Sequence, residues 1–153
     1  LPHYFAYGNL LDIELMRRIA PSAKAVAVAR LEGQEIAFGR CNDPAIGGCT
    51  LAPRPGAETW GVQYELSEED MATLDKAAGV DKGHWRHEPV TLKTADGEEI
   101  ASVTYLIPEV SGHYAPPDTY VAPIYKGAEA LGLPESYRAR LRDLIVEAQG
   151  KAG

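Results

Sequence analysis

Strand-like stretches in this chain come mainly as consecutive runs, not in alternation with helices. That ordering constrains the fold more than any single residue does. Residues 59–66 (TWGVQYEL) alternate and carry Trp, Val and Tyr, which marks a strand. Residues 3–7 (HYFAY) are aromatic and apolar until Gly8-Asn9 breaks them, so they read as a strand ending in a tight turn. Residues 25–31 (AVAVARL) and 34–38 (QEIAF) read as two strands around Glu32-Gly33, a hairpin. Residues 48–51 suggest a short strand, and Arg54-Pro55-Gly56 a turn. Residues 87–93 and 100–107 read as strands split by the turn Ala95-Asp96-Gly97. Roughly seven strands in such runs predict an α+β fold with a largely antiparallel sheet.

Helices flank the strands. Residues 12–20 show helical spacing, with Asp12 placed to cap the start and Pro21 to stop it. Ser67 is a natural N-cap for a helix whose first turn holds Glu68, Glu69 and Asp70. Met71, Leu74 and Ala78 fall on one face of that helix, and Gly79 suits the position after its end. Residues 108–117 read as a loop and 120–131 as a helix closed by Gly132. Pro134 suits the first position of a last helix with Tyr137, Leu141, Leu144, Ile145 and Ala148 as its apolar stripe.

A chain of 153 residues predicts one domain, spanning residues 1–153, with a core that needs no staples. The net charge of −7 and the lack of a Lys/Arg-rich run argue against nucleic acid or an anionic membrane as partner. No apolar run is long enough for a membrane span. Leu1-Pro2-His3-Tyr4 does not read as a secretion signal, and two cysteines, Cys41 and Cys49, do not make a disulfide framework. A cytoplasmic setting is expected.

Several kinds of chemistry have nothing to stand on. There is no phosphate-binding glycine loop and no nucleophile elbow. His84 and His87 lie three apart, but on a strand that spacing sends side chains to opposite faces, so no metal site is expected. Cys41 has no local partner that would make it a nucleophile. The turn Tyr7-Gly8-Asn9-Leu10-Leu11 is different. A strand ends, Gly removes side-chain bulk, and a helix starts at once. Backbone N–H groups in such a turn can hold a carboxylate or an oxyanion, although an ordinary strand-to-helix turn has the same composition.

Four stretches, in order and spacing, resemble the γ-glutamylcyclotransferase family, which shares its fold with the AIG2-like proteins. They are Tyr4-Phe5-Ala6-Tyr7-Gly8, Thr59-Trp60-Gly61-Val62-Gln63-Tyr64-Glu65-Leu66, Leu74-Asp75 with Gly79-Val80, and a tail block. The tail block runs from Pro116-Pro117-Asp118-Thr119-Tyr120 through Gly127-Ala128 to Gly132-Leu133-Pro134-Glu135-Ser136-Tyr137. The resemblance covers almost the whole chain. It implies a small, mostly antiparallel or mixed β-barrel flanked by helices, with a substrate cavity at the barrel mouth. It also implies a reaction: the α-amine of a γ-glutamyl amine or amino acid attacks its own γ-carbonyl, giving 5-oxoproline and a free amine. No cofactor is implied. The one implied partner is a small molecule with a γ-glutamyl-type group, and the oligomeric state is left open.

The resemblance implies substrate-binding roles for Tyr7, Gly8, Asn9, Leu10 and Leu11 in the turn and for Tyr120 in the tail block. Trp85 would wall the cavity. The turn departs from the family's Tyr-Gly-Ser-Asn-Leu, with Asn9 and Leu10 where Ser and Asn are usual. A larger departure is catalytic. Where the family reads Leu-Asp-x-x-Glu-Gly-Val, with Glu as general base, this chain reads Leu74-Asp75-Lys76-Ala77-Ala78-Gly79-Val80. Ala78 stands at the base position and accepts no proton. Asp75 occupies the family's own Asp position, so it is not an obvious substitute; Glu88, Glu65 and Asp81 are conceivable ones. Three readings stay open: an engineered cyclotransferase, a diverged relative using another acid or base on a γ-glutamyl or similar amide, and a non-catalytic binding module. The joint changes at Asn9, Leu10 and Ala78 favour natural divergence, and an enzyme is the leading expectation.

Overall fold

The computed structural model describes residues 1–150. Its elements are β1 (His3–Ala6), α1 (Ile13–Ile19), β2 (Lys24–Arg40), β3 (Gly47–Glu65), α2 (Glu68–Ala77), β4 (Arg86–Lys93), β5 (Glu99–Leu106), β6 (Gly112–His113), α3 (Asp118–Ala130) and α4 (Glu135–Gly150). Single 3-10 turns at Asn9–Leu11 and Val80–Lys82 precede α1 and follow α2. The strand order is β1-β3-β2-β4-β5, with β6 on β2, and every pairing is antiparallel. The α+β expectation with an antiparallel sheet therefore holds.

Two expected turns are bulges instead. Residues 24–40 form one strand, not a hairpin. Glu32 faces Glu58 while Gln34 faces Pro53, so residues 54–57 bulge outward opposite Gly33 alone. Gly33 and Gly56 both take φ +81°, the left-handed backbone that a kink in each strand requires. Arg54-Pro55-Gly56 accordingly bends β3 without ending it. The two mergers reduce the expected seven strands to five, and the short β6, inside the stretch expected to be a loop, makes the sixth.

The closed barrel is not completed by paired strands, because no ladder joins β1 to β5 among the described residues. Side chains tie these two strands instead. The Thr104 hydroxyl donates to the Phe5 carbonyl, and the Tyr7 hydroxyl to the Tyr105 carbonyl, each at 2.7 Å. Such bonds satisfy buried edge carbonyls that a ladder would otherwise have used.

The helix ends follow their local chemistry. Asp12 accepts from the Glu14 N–H at 3.2 Å, and Ser67 accepts from the Asp70 N–H at 3.1 Å. Gly79, at φ +64°, ends α2 in the left-handed conformation. Pro134 sits just before α4, and its carbonyl accepts the Arg138 N–H at 2.9 Å. The core lies between sheet and helices. It includes Phe5, Tyr64, Leu74, Leu92, Ile124, Leu141 and Ile145, all essentially excluded from water.

A tyrosine-walled cavity as the candidate functional site

One cavity of about 190 Å³ opens between the end of β1, the start of β3, α2 and α3. Its floor is the turn after β1. Gly8 is there for space: a Cβ on it would lie 2.7 Å from the Cys49 sulfur. Tyr7, Gly8, Asn9 and Leu10 all line the cavity. Leu11 does not. It is buried in the core, and its backbone is pressed against α3, where a Cβ on Gly127 would come within 2.3 Å of the Leu11 carbonyl carbon. The floor is held from below by the Tyr64 hydroxyl, which donates to the Leu10 carbonyl at 2.6 Å.

The turn's backbone donors are partly spent inside the protein. The Leu11 N–H donates to the Gly8 carbonyl at 3.0 Å and the Asp12 N–H to the Asn9 carbonyl at 3.2 Å. The Asn9 N–H faces the Cys49 sulfur. Burial pushes the Cys49 thiol up to about 12, against smaller opposing effects from Tyr120 and the Asn9 N–H. A thiol held protonated in this way is a wall residue, not a nucleophile.

Tyr120 and Trp85 close the opposite wall through the same residue. At Cys49 no strand among the described residues pairs with β3 on the side where β1 joins it further along, at residues 62–65. Two side chains satisfy the backbone polar groups there. The Cys49 N–H donates to the Tyr120 hydroxyl oxygen at 2.9 Å, and the Trp85 indole N–H donates to the Cys49 carbonyl at 2.9 Å. The glycine before Cys49 permits this. A Cβ on Gly48 would meet the Tyr120 hydroxyl at 2.6 Å and the Trp85 ring at 2.9 Å. Burial first, then Cys49, keeps the Tyr120 hydroxyl protonated well beyond the usual phenol range.

The last wall is the end of α2. Ala78 is half-buried, donates its N–H to the Leu74 carbonyl at 2.9 Å and lines the cavity with Leu74 and Ala77. No lining residue is Asp, Glu, His or Lys among the described residues. Glu65 pairs with His3 at 3.3 Å, Glu88 pairs with Arg86 at 2.7 Å, and Asp81 lies in the turn after α2; none of the three lines the cavity.

Sequence reasoning missed Tyr4, Tyr105, Cys49 and Ile19, which also line the cavity. The pair Gly47-Gly48 was the available signal for Cys49, since two adjacent glycines in a strand mark close approach by other groups. Tyr105 is the more consequential. Its hydroxyl donates to Asp75 Oδ1 at 2.5 Å, and His87 Nε2 lies 2.6 Å from the same oxygen. Burial, reinforced by the Asp75 bond, holds Tyr105 protonated beyond the ordinary phenol range.

This fold has close counterparts. A model described as the AIG2-like family matches residues 58–141. The gamma-glutamylcyclotransferase of Bos taurus is 33% identical over 146 residues, covering 92% of this chain and 77% of the bovine protein. The Homo sapiens protein of the same name is 33% identical over 145 residues, covering 91% and 76%. A solved structure of a gamma-glutamyl cyclotransferase superposes with a TM-score of 0.87 at 32% identity, over 92% of this chain and 86% of that one. The chain belongs to the γ-glutamylcyclotransferase family of AIG2-like proteins. No described helix is long and apolar enough to cross a membrane.

Proposed function

We propose that the cavity binds a γ-glutamyl amine or γ-glutamyl amino acid, cyclises its glutamyl group to 5-oxoproline and releases the amine. The observation that carries this reading is a joint placement. The turn residues 7–10, Tyr120, Trp85 and Ala78 come from distant parts of the chain and border one small space. About 190 Å³ is below the roughly 300–1,000 Å³ of drug-sized ligand pockets and suits a glutamyl arm with the leaving amine in the mouth.

Nucleophile and electrophile then lie in one molecule. The protein's first task is to fold the arm so that the α-nitrogen meets the γ-carbonyl, which is where most of the advantage of an intramolecular reaction arises. Tyr120 positions the glutamyl group, the floor turn orients its polar end, and Trp85 shuts out water. The chemistry needs no cofactor. It does need a proton acceptor, because an α-ammonium group is not a nucleophile. Ala78 supplies none.

A second reading is supported by that wall of neutral residues: a non-catalytic module that binds the same ligand. Diverged chemistry on a related amide is the third. One experiment separates them. Binding, 5-oxoproline and amine release are measured across a γ-glutamyl panel for this chain and for Ala78→Glu. Enzyme chemistry predicts release by the unaltered chain. A binding module predicts affinity without release, with turnover only in Ala78→Glu. Release of amine without 5-oxoproline would mark the diverged reaction. Neither binding nor turnover in either protein would end the γ-glutamyl reading and leave a kinship of fold alone.

A further inference from the structure

We infer that Tyr105 and Asp75, with His87 behind them, form a proton relay that serves the cavity in place of a direct general base. The inference rests on the γ-glutamyl reading above. Its starting point is chemical: ring closure must remove protons from the substrate's α-nitrogen, and no cavity-lining side chain among the described residues is an ordinary base.

A base one bond removed is present. Tyr105 lines the cavity and is itself buried, and its hydroxyl donates to Asp75 Oδ1 at 2.5 Å. Asp75 lies three residues before Ala78, so the two share one face at the end of α2. Tyr105 and Ala78 both line the cavity, so the residue whose hydroxyl Asp75 holds borders the same space as the position where a carboxylate is missing. His87 approaches the same Asp75 oxygen at 2.6 Å, and its ring packs tilted against Tyr105 at 5.5 Å between centroids. The His87 side chain is 42% exposed, so this carboxylate communicates with solvent on its far side. Asp75 thus has one neighbour in the cavity and another in water.

The proton balance closes. The α-ammonium gives a proton to the Tyr105 oxygen as Tyr105 passes its own proton to Asp75 Oδ1. The freed amine forms the new nitrogen–carbon bond at the γ-carbonyl. As the bond from that carbon to the leaving nitrogen breaks, Asp75 returns its proton through Tyr105 to the leaving nitrogen. A second proton, shed by the ring nitrogen, follows by the same route and completes the released ammonium. Nothing is oxidised or reduced. Tyr105 touches the reacting atoms. Asp75 acts through Tyr105, and His87 holds and screens Asp75.

The test compares the unaltered chain with Asp75→Asn, Tyr105→Phe, Ala78→Glu and the doubles Asp75→Asn/Ala78→Glu and Tyr105→Phe/Ala78→Glu, each assayed for 5-oxoproline. Calorimetric binding of a γ-glutamyl compound checks that each variant is folded. The relay predicts that Asp75→Asn and Tyr105→Phe each lower kcat by about 10²-fold or more while KM and affinity change little. A carboxylate added at position 78 then restores kcat in both doubles, which a merely structural defect would not allow. Should Asp75→Asn fail to fold, the Tyr105→Phe pair decides alone. The relay is overturned, with the γ-glutamyl reading intact, if Asp75→Asn or Tyr105→Phe keeps full kcat. It is equally overturned if the unaltered chain is inert and Ala78→Glu is active. If neither of those two proteins binds or converts any γ-glutamyl compound, the substrate reading itself fails and the relay fails with it.

Discussion

Two regions of the β2–β3 ribbon are held by different physics. Around Gly48, Cys49 and Thr50, polar groups are buried and matched singly to backbone atoms. Tyr120 and Trp85 take the two polar groups of Cys49, and the Thr50 hydroxyl accepts the Ile107 N–H at 2.9 Å. Around the bulge at Gly33 and residues 54–57, the polar groups are charged, longer and wetter. Arg54 and Arg140 both reach Glu35 at 3.2 Å, and Arg30 lies 3.5 Å from Glu32 and 3.7 Å from Glu58. A buried hydrogen bond is costly to leave unmade, whereas an exposed ion pair trades one solvated state for another. The cavity wall is thus held by bonds that are costly to lose, while the bulge is tied largely by charges whose arginine partners water can serve instead.

The sharpest way to break the wall is from behind it. Gly127 in α3 touches the Leu11 carbonyl carbon and oxygen and the Asp12 nitrogen, so an added Cβ would stand 2.3–2.6 Å from backbone that cannot rotate away. Helix propensity alone would favour Ala over Gly by about 1 kcal/mol. The clash is larger and reverses the sign. Gly127→Ala is expected to destabilise the fold by about 2 kcal/mol or more, read by urea denaturation. It should also weaken ligand binding, because the displaced segment carries the cavity floor. A neutral result would mean that α3 can slide, and that the floor is not set by this contact.

Tyr120→Phe probes the wall itself and should cost less. The ring stays, and the Cys49 N–H loses its acceptor, with an expected loss of roughly 1–3 kcal/mol. The smaller figure applies if water from the cavity replaces the hydroxyl. Ligand affinity, measured by calorimetry on the same variant, should fall whichever figure holds. Full affinity after this change would remove Tyr120 from the proposed substrate contacts.

The same contrast explains what could be read in advance. Asp12, Ser67 and Gly79 announced helix ends because their effect is local: a side-chain oxygen or a left-handed φ acts within a few residues. The turn after the first strand stood out by its own composition, but its substrate role, like those of Tyr120, Trp85 and Ala78, came from a resemblance, which carries three-dimensional adjacency along with it. Gly33 and Gly56 were misread because a left-handed glycine serves a hairpin turn and a bulge equally well, and only the partner strand decides between them. Tyr105 escaped notice for a related reason. It is one aromatic residue in an alternating strand, and its bond to Asp75 spans 30 residues, a separation that no local pattern encodes. Tyrosine is common in strands, so the type alone says nothing about whether it faces a cavity.

The smallest expected effect lies at the bulge, and it tests the comparison from the other side. Glu35 is well covered, with 16% of its side chain exposed, but its partners Arg54 and Arg140 are 60% and 46% exposed. Arginines so wet lose little when their carboxylate goes, because water replaces it. Glu35→Ala should therefore shift stability by less than about 1 kcal/mol. The difference from the unaltered chain should shrink further in high salt, where exposed charges are screened within a few ångströms. Cyclisation kinetics should not change. A loss as large as that of Tyr120→Phe, insensitive to salt, would mean that the bridge from β2 through Glu35 to α4 is a structural tie of the same rank as the cavity wall. The bulge would then have to be counted among the elements that fix the position of α4, and with it the helix pair that backs the site.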